Sequence, residues 1–149
     1  MLGRVTIDAC AKINLGLRVL HRRRDGYHDI ITVLQRISLC DRVHLEPLEG
    51  RVVYEGPRLT ADPEDNLCVR AAEAFRRRFG RRLGVRINLE KVIPVGAGLG
   101  GGSSDAAAVL VGMVRLFERN GETTVGLEDR PLMEVAAPVS YTHLTLPTN

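Results

Sequence analysis

The chain has 149 residues, 44% hydrophobic and 26% charged, with a formal net charge of +3. That composition describes one ordinary globular domain and excludes disorder and collagen-like repeats, and a chain of this size buries about two thirds of its unfolded surface without needing a disulfide or a metal. Of its 21 Lys and Arg residues only Lys12 and Lys91 are lysine, so those two exceptions are better clues than the arginines.

From residue 4 to residue 20 the chain reads as a strand interrupted by Ala11, Lys12 and Asn14. The polar stretch HRRRDGYHD follows, with a turn at Asp25-Gly26. Ile30 to Leu39 is apolar on both faces, as a covered central strand would be. Val43 to Glu46 and Arg51 to Glu55 read as shorter strands around a turn from Pro47 to Gly50, and TADPEDN as a loop dense in cap residues. Leu67, Ala71, Phe75 and Phe79 recur every fourth position, which predicts an amphipathic helix over Asn66 to Phe79 stopped by Gly80. Val85 to Ile93 alternates like a strand and runs into Pro94. Ser103 to Arg119 is apolar nearly all round, a buried helix ended by Asn120-Gly121, and Leu127 to Ala137 predicts one more short helix. Consecutive strands with separate helices suggest an α+β fold. The last ten residues, SYTHLTLPTN, carry no Asp, Glu, Lys or Arg and read as a non-native tail over 140–149, leaving 1–139 as the domain.

Cys10, Cys40 and Cys68 lie about thirty residues apart without a Cys-x-x-Cys pair, which argues against a zinc site and a disulfide framework and for a reducing cytoplasm. Arg4 and Asp8 interrupt any signal-like apolar run, and no stretch approaches the ~18 apolar residues of a membrane span, so no membrane partner is expected. Arginines 22–24 and the cluster from Arg76 to Arg82 have few aromatic residues around them. The second cluster ends the predicted helix, where cations suit the dipole, so no nucleic-acid partner is expected either.

The chemistry concentrates in PVGAGLGGGSSDAAA, which sets Gly96, Gly98, Gly100, Gly101 and Gly102 between a strand and a helix. Glycines so dense let backbone N–H groups turn toward one point and leave no Cβ to block a ligand, so all five read as open backbone for an anion. The buried helix adds its positive N-terminal end, and Ser103 and Ser104 add hydroxyls. A Walker A loop fails for want of a lysine before Ser103. G-x-G-x-x-G is satisfied from Gly96 to Gly101, but the acid twenty residues beyond Gly98, Glu118, falls in a helix rather than at a strand end. A Pro-x-x-x-Gly-Leu-Gly-Ser-Ser type of loop, here Pro94, Gly98, Leu99, Gly100, Ser103 and Ser104 with two extra glycines, accounts for the proline, the serines and the alanine-rich helix together.

This loop, with AKINLGLRVLHRRRDGYHDIITVLQ some eighty residues before it, resembles the GHMP small-molecule kinases over about Ile7 to Ala137. The resemblance implies a GHMP N-terminal domain akin to the second domain of ribosomal protein S5, with a mixed or antiparallel sheet and helices on one side. It also implies a small-molecule substrate, ATP with Mg²⁺, and transfer of the γ-phosphate to the 2-hydroxyl of a cytidylyl sugar alcohol. Lys12 would then lie beside the reacting groups with Asn14 lining the same pocket. Tyr27 and His28 would hold the cytosine, Asn66 and Leu67 would border the adenine, Lys91 the base or phosphates, and Ser104 would approach the metal. Asp65-Asn66-Leu67 caps a helix in any case, and Asp105, which would oppose a phosphate, reads as structural. The family's general base is an aspartate in a Gly-x-Asp-Val-Pro-like segment some 35 to 40 residues past the serines, where this chain has Pro138-Val139-Ser140-Tyr141-Thr142. The expectation is a truncated, inactive N-terminal half without its C-terminal domain. The alternative is a non-catalytic nucleotide- or RNA-binding module of S5-like fold.

Overall fold

The computed structural model describes residues 3–119, 121 and 134–136. β1 spans Val5–Arg22, β2 His28–Glu49, β3 Val52–Glu55 and β4 Leu83–Glu90, while α1 spans Leu67–Phe79 and α2 Gly101–Arg119. The strands form one sheet in the order β1-β2-β4-β3. β2 runs antiparallel to both β1 and β4, and β3 runs parallel to β4 because α1 joins them as a crossover. This is the expected α+β arrangement of a mixed sheet with helices.

Period-two alternation gives the sheet its faces. Val5, Ala9, Val43, Leu45, Val85, Ile87 and Leu89 are buried in the core with the helices. The residues between them make a charged open face, where Arg42 pairs with Asp8 at 3.4 Å and His44 with Glu90 at 3.0 Å. Asn66 starts α1 by accepting the Cys68 N–H at 2.9 Å, and Gly80, with φ of 148°, ends it. Phe75 then stacks on Phe117 of α2 with centroids 6.3 Å apart. A Cβ on Gly112 would collide with Leu45, so glycine is what lets α2 lie close against β2.

Several expectations need correction. β2 is one 22-residue strand, and Pro47 lies inside it opposite Val85 rather than in a turn. Ile30 to Leu39 is not a covered central strand. β4 reaches only Arg42–Glu49 of β2, so the outer parts of β1 and β2 form a two-stranded arm that no other strand among the described residues flanks. Leu15, Leu17, Ile31, Val33 and Leu34 are exposed there. β4 stops at Glu90, and α2 starts at Gly101, two residues before the predicted start. Cys10 and Cys40, register partners across β1 and β2, form a disulfide. Sequence spacing spoke against one because it carries no information on which residues a hairpin sets opposite each other. Apart from residues 134–136, the helix predicted over Leu127 to Ala137 lies outside the described residues, as does the tail over 140–149. Among the described residues no helix is long and apolar enough to cross a membrane.

Candidate functional site

The loop between β4 and α2 passes over the helix side of the sheet. Gly96, Gly98 and Gly100 have φ of 75°, 73° and 71°, and no non-glycine residue among those described has positive φ. Left-handed glycines at every second position let backbone N–H groups turn toward one side, the backbone form that suits an anion. A Cβ at Gly96 or Gly98 would meet nothing within 4 Å, so the backbone there is open to a ligand. The expectation that all five glycines are open is corrected at three of them: a Cβ on Gly100 would come 3.2 Å from Lys12 Cε, and Gly101 and Gly102 are closed as well. Both lie inside α2, where a Cβ on Gly101 would come 2.8 Å from Ile93 Cγ2 and 2.9 Å from Lys91 Nζ, and one on Gly102 3.3 Å from Leu67 Cδ1. Three glycines shape the cradle, and two let the helix N-terminus, with its partial positive charge, come close behind it.

Lys12 meets this loop from β1. Its N–H donates to Leu99 O at 2.9 Å, and its ammonium donates to Gly98 O at 2.9 Å and to Asn14 Oδ1 at 2.7 Å. Asn14 Nδ2 donates in turn to Thr32 Oγ1 at 2.8 Å, and Thr32 to Gly16 O at 2.7 Å. This chain of neutral partners aims the lysine and leaves its third donor available at the loop.

Lys91 lies on the other side of the loop, where burial is nearly complete. Its ammonium is bonded to Asp41 Oδ2 and, at 2.9 Å, to Asp105 Oδ2 in the first turns of α2. Asp41, fully buried, also accepts the N–H groups of Val92 and Ile93 through Oδ1. Burial pushes the Asp41 carboxyl up, but Lys91 and the two backbone donors outweigh it and hold the carboxyl below its ordinary range. Burial likewise works against the Lys91 charge, and its bonds to the two carboxylates reverse the shift upward. Asp105, with Oδ1 buried and unpartnered, is pushed up to about 7, mainly by burial.

Of the other predicted residues, Ser104 donates its hydroxyl to Cys10 O at 2.9 Å and so ties α2 to β1. Asn66 is buried as the cap of α1, and Leu67 packs beside Gly102. Pro94 leads into the loop, and Ser103 lies in the first turn of α2. Tyr27 and His28 are not brought to Lys12. They stand at the tip of the arm, where Arg22 pairs with His28 and Arg23 with Asp25 at 2.7 Å. Eight residues of strand separate Asn14 from Arg22, up to roughly 26 Å at about 3.3 Å per residue. Thr32 and Asp41 carry no motif that the sequence could have flagged. Thr32 sits in an apolar run, and Asp41 falls where the sequence reads a break between two strands.

Among the described residues no group of three His, Cys, Asp or Glu is arranged to hold a metal ion. Asp105 is engaged by Lys91 and Ser104 by Cys10. The described side chains therefore do not make a magnesium site on their own.

Known proteins match this architecture. The sequence profile of the GHMP kinases N terminal domain matches residues 66–144. The chain is 47% identical over 131 residues to a 4-diphosphocytidyl-2-C-methyl-D-erythritol kinase of Symbiobacterium thermophilum, covering 87% of this chain and 44% of that protein. It is 52% identical over 116 residues to the protein of the same name from Nitrosomonas europaea, covering 75% and 41%. A crystal structure of 4-(cytidine 5'-diphospho)-2C-methyl-D-erythritol kinase superposes with a TM-score of 0.70 at 41% identity, over 92% of this chain and 48% of that one. A homoserine kinase of Cytophaga hutchinsonii, at 18% identity and a TM-score of 0.64, shares the fold. The chain spans about half the length of the curated relatives it matches.

Proposed function

The chain belongs to the GHMP kinase family, and from that premise we propose that it is the ATP-binding half of a 4-diphosphocytidyl-2-C-methyl-D-erythritol kinase. The reaction transfers the γ-phosphoryl group of ATP to the 2-hydroxyl of that substrate, a cytoplasmic step of non-mevalonate isoprenoid synthesis. The observation that carries the reading is the meeting of Lys12 with a loop whose Gly96, Gly98 and Gly100 all have positive φ. Phosphoryl transfer needs placement and fixed charge more than covalent help from the protein. The loop N–H groups and the α2 N-terminus hold phosphate oxygens, with Ser103 beside them. The free donor of Lys12 stands where negative charge develops, and Asn14 and Thr32 keep it aimed. Asn66 and Leu67 border the base. Tyr27 and His28 serve the cytidylyl end of the substrate, furthest from Lys12.

No aspartate follows Asp129 in the sequence, and both buried carboxylates beside the loop are engaged by Lys91. Neither is placed to take the hydroxyl proton, so the 149-residue chain should bind ATP without turnover. Calorimetric titration with ATP tests the first half: saturable binding, weakened by Gly98→Ala, is expected, and no binding overturns the reading. An enzyme of the relatives' length carrying this sequence tests the second, and failure to phosphorylate the cytidylyl substrate overturns the substrate assignment.

A further inference from the structure

Three parts of the chain converge on Lys91, and none of them is the open cradle. Asp41 comes from β2, Val92 and Ile93 from the segment leaving β4, and Asp105 from the first turns of α2. Asp41 spends one oxygen on the backbone of Val92 and Ile93 and the other on Lys91, so it fixes the start of the loop twice. Lys91 spends a second donor on Asp105, which fixes the far end. Gly101 completes the fit, because any Cβ there would press on Lys91 Nζ and Ile93 Cγ2. Between these pinned ends lie Pro94 to Gly100, with the open backbone of Gly96 and Gly98 among them. A loop with fixed ends has far fewer shapes to sample than one tethered at a single end. Buried ion pairs contribute little net stability against well-packed apolar groups, and their best-attested use is to specify one arrangement among several.

We propose that Asp41, Lys91 and Asp105 form a buried clamp that sets the shape of the glycine loop before any ligand arrives. Lys91 is then a positioning residue and does not touch the nucleotide, in contrast to what family resemblance suggests for it. The clamp itself is independent of which anion the loop receives, and only the ligand arm of the test rests on the reading of the loop as an ATP site.

The test compares the wild-type chain with Lys91→Met, Asp105→Ala, their double variant and Asp105→Asn. Without ligand, hydrogen exchange followed by mass spectrometry should show amides over 92–104 exchanging about tenfold faster in Lys91→Met and Asp105→Ala, with Val85, Ile87 and Phe75 unchanged. Asp105→Asn, which keeps an oxygen for Lys91, should stay close to wild type. In the ligand arm, both single variants should raise the Kd for ATP about tenfold, and the double variant should be no worse than Lys91→Met alone, because the two residues act through one contact. Weakened ATP binding with wild-type exchange would make Lys91 a direct contact and overturn the clamp. Faster exchange spread over the whole chain would reduce it to a support of the fold and overturn it equally. If Lys91→Met does not fold, Asp105→Ala against Asp105→Asn decides alone. A wild-type chain that binds no ATP but shows the local exchange pattern sinks the proposed function and leaves the clamp standing.

Discussion

The two lysines grip the glycine loop from opposite sides, and the surroundings of each are built on opposite principles. Around Lys12 the partners are neutral, a carbonyl and an amide, the residue is partly exposed, and one donor remains unspent. Around Lys91 the partners are two carboxylates, burial is nearly complete, and the same carboxylate that holds the lysine also holds the backbone. A charge meant for a ligand must keep a donor in hand and stay near solvent. A charge meant for the loop must give its donors to the protein. Stability and function should therefore separate between the two sides, and substitutions on each can break or sharpen that division.

The largest effect on stability belongs to the buried side. Asp41→Ala strips Lys91 of one carboxylate and leaves the N–H groups of Val92 and Ile93 without an acceptor, which should cost about 3–5 kcal/mol in urea unfolding. Lys12→Ala should stay within about 1 kcal/mol of wild type, since its bonds are exposed. Equal losses would erase the contrast.

The largest functional effect belongs to the other side. In an enzyme of the relatives' length carrying this sequence, Lys12→Ala should lower kcat on the order of 10² to 10³ with little change in the KM for ATP, because its charge acts chiefly as the phosphoryl group moves. Steady-state kinetics with a normal kcat would remove Lys12 from the reaction.

The glycines carry the same division inside a single loop, with smaller effects. Gly98→Ala has room for its Cβ but must hold a φ of 73°, which costs about 1–2 kcal/mol and should weaken ATP binding through the distorted cradle. Gly101→Ala has an ordinary helical φ but drives its Cβ against Ile93 and Lys91, so it should lower the thermal midpoint through the clamp. Titration and melting of the two variants tell the mechanisms apart.

How much of this was legible in the sequence follows from the range of each signal. Local signals read well. Asn66 as a cap and the four-residue spacing from Leu67 to Phe79 are written within a dozen residues and hold in the structure, and the glycine loop and Lys12 that the sequence singles out lie against each other. What failed depended on register or on how far a neighbour reaches. Ile30 to Leu39 looks like a central strand because apolar residues on both faces usually mean cover, yet β4 stops short and Ile31, Val33 and Leu34 are exposed. Cys10 meets Cys40, and Asp41 meets Lys91, across separations of 30 and 50 residues that no periodicity reports. Lys91, read from its place at the end of a strand entering the loop as bordering the base or phosphates, gives two of its donors to Asp41 and Asp105, partners that its place on the strand does not reveal.

The smallest effect is a pH dependence that only the buried side should show. Burial pushes the Asp105 carboxyl up to about 7 from its ordinary 3.8, with the nearby Asp41 charge adding to the shift and Lys91 opposing it. Between those two values the folded chain keeps a proton that the unfolded chain has lost, so the stability this group contributes is fully present below about pH 4 and is lost as pH rises through about 7. Asp41, held below its ordinary range, loses its contribution only as pH falls through that lowered value. Lys91, held above its ordinary value, loses its own only in strong alkali. Neither overlaps the Asp105 window. The urea midpoint of the wild-type chain should therefore fall between about pH 4 and about pH 7, and Asp105→Asn, which cannot ionise but still offers Lys91 an oxygen, should flatten that fall. If both chains lose stability in parallel, Asp105 is already ionised at the acid end, and the clamp carries a net negative charge beneath a loop meant for anions. That electrostatic cost would have to be met by Lys12 and the α2 N-terminus, so ATP affinity in Asp105→Asn would then rise.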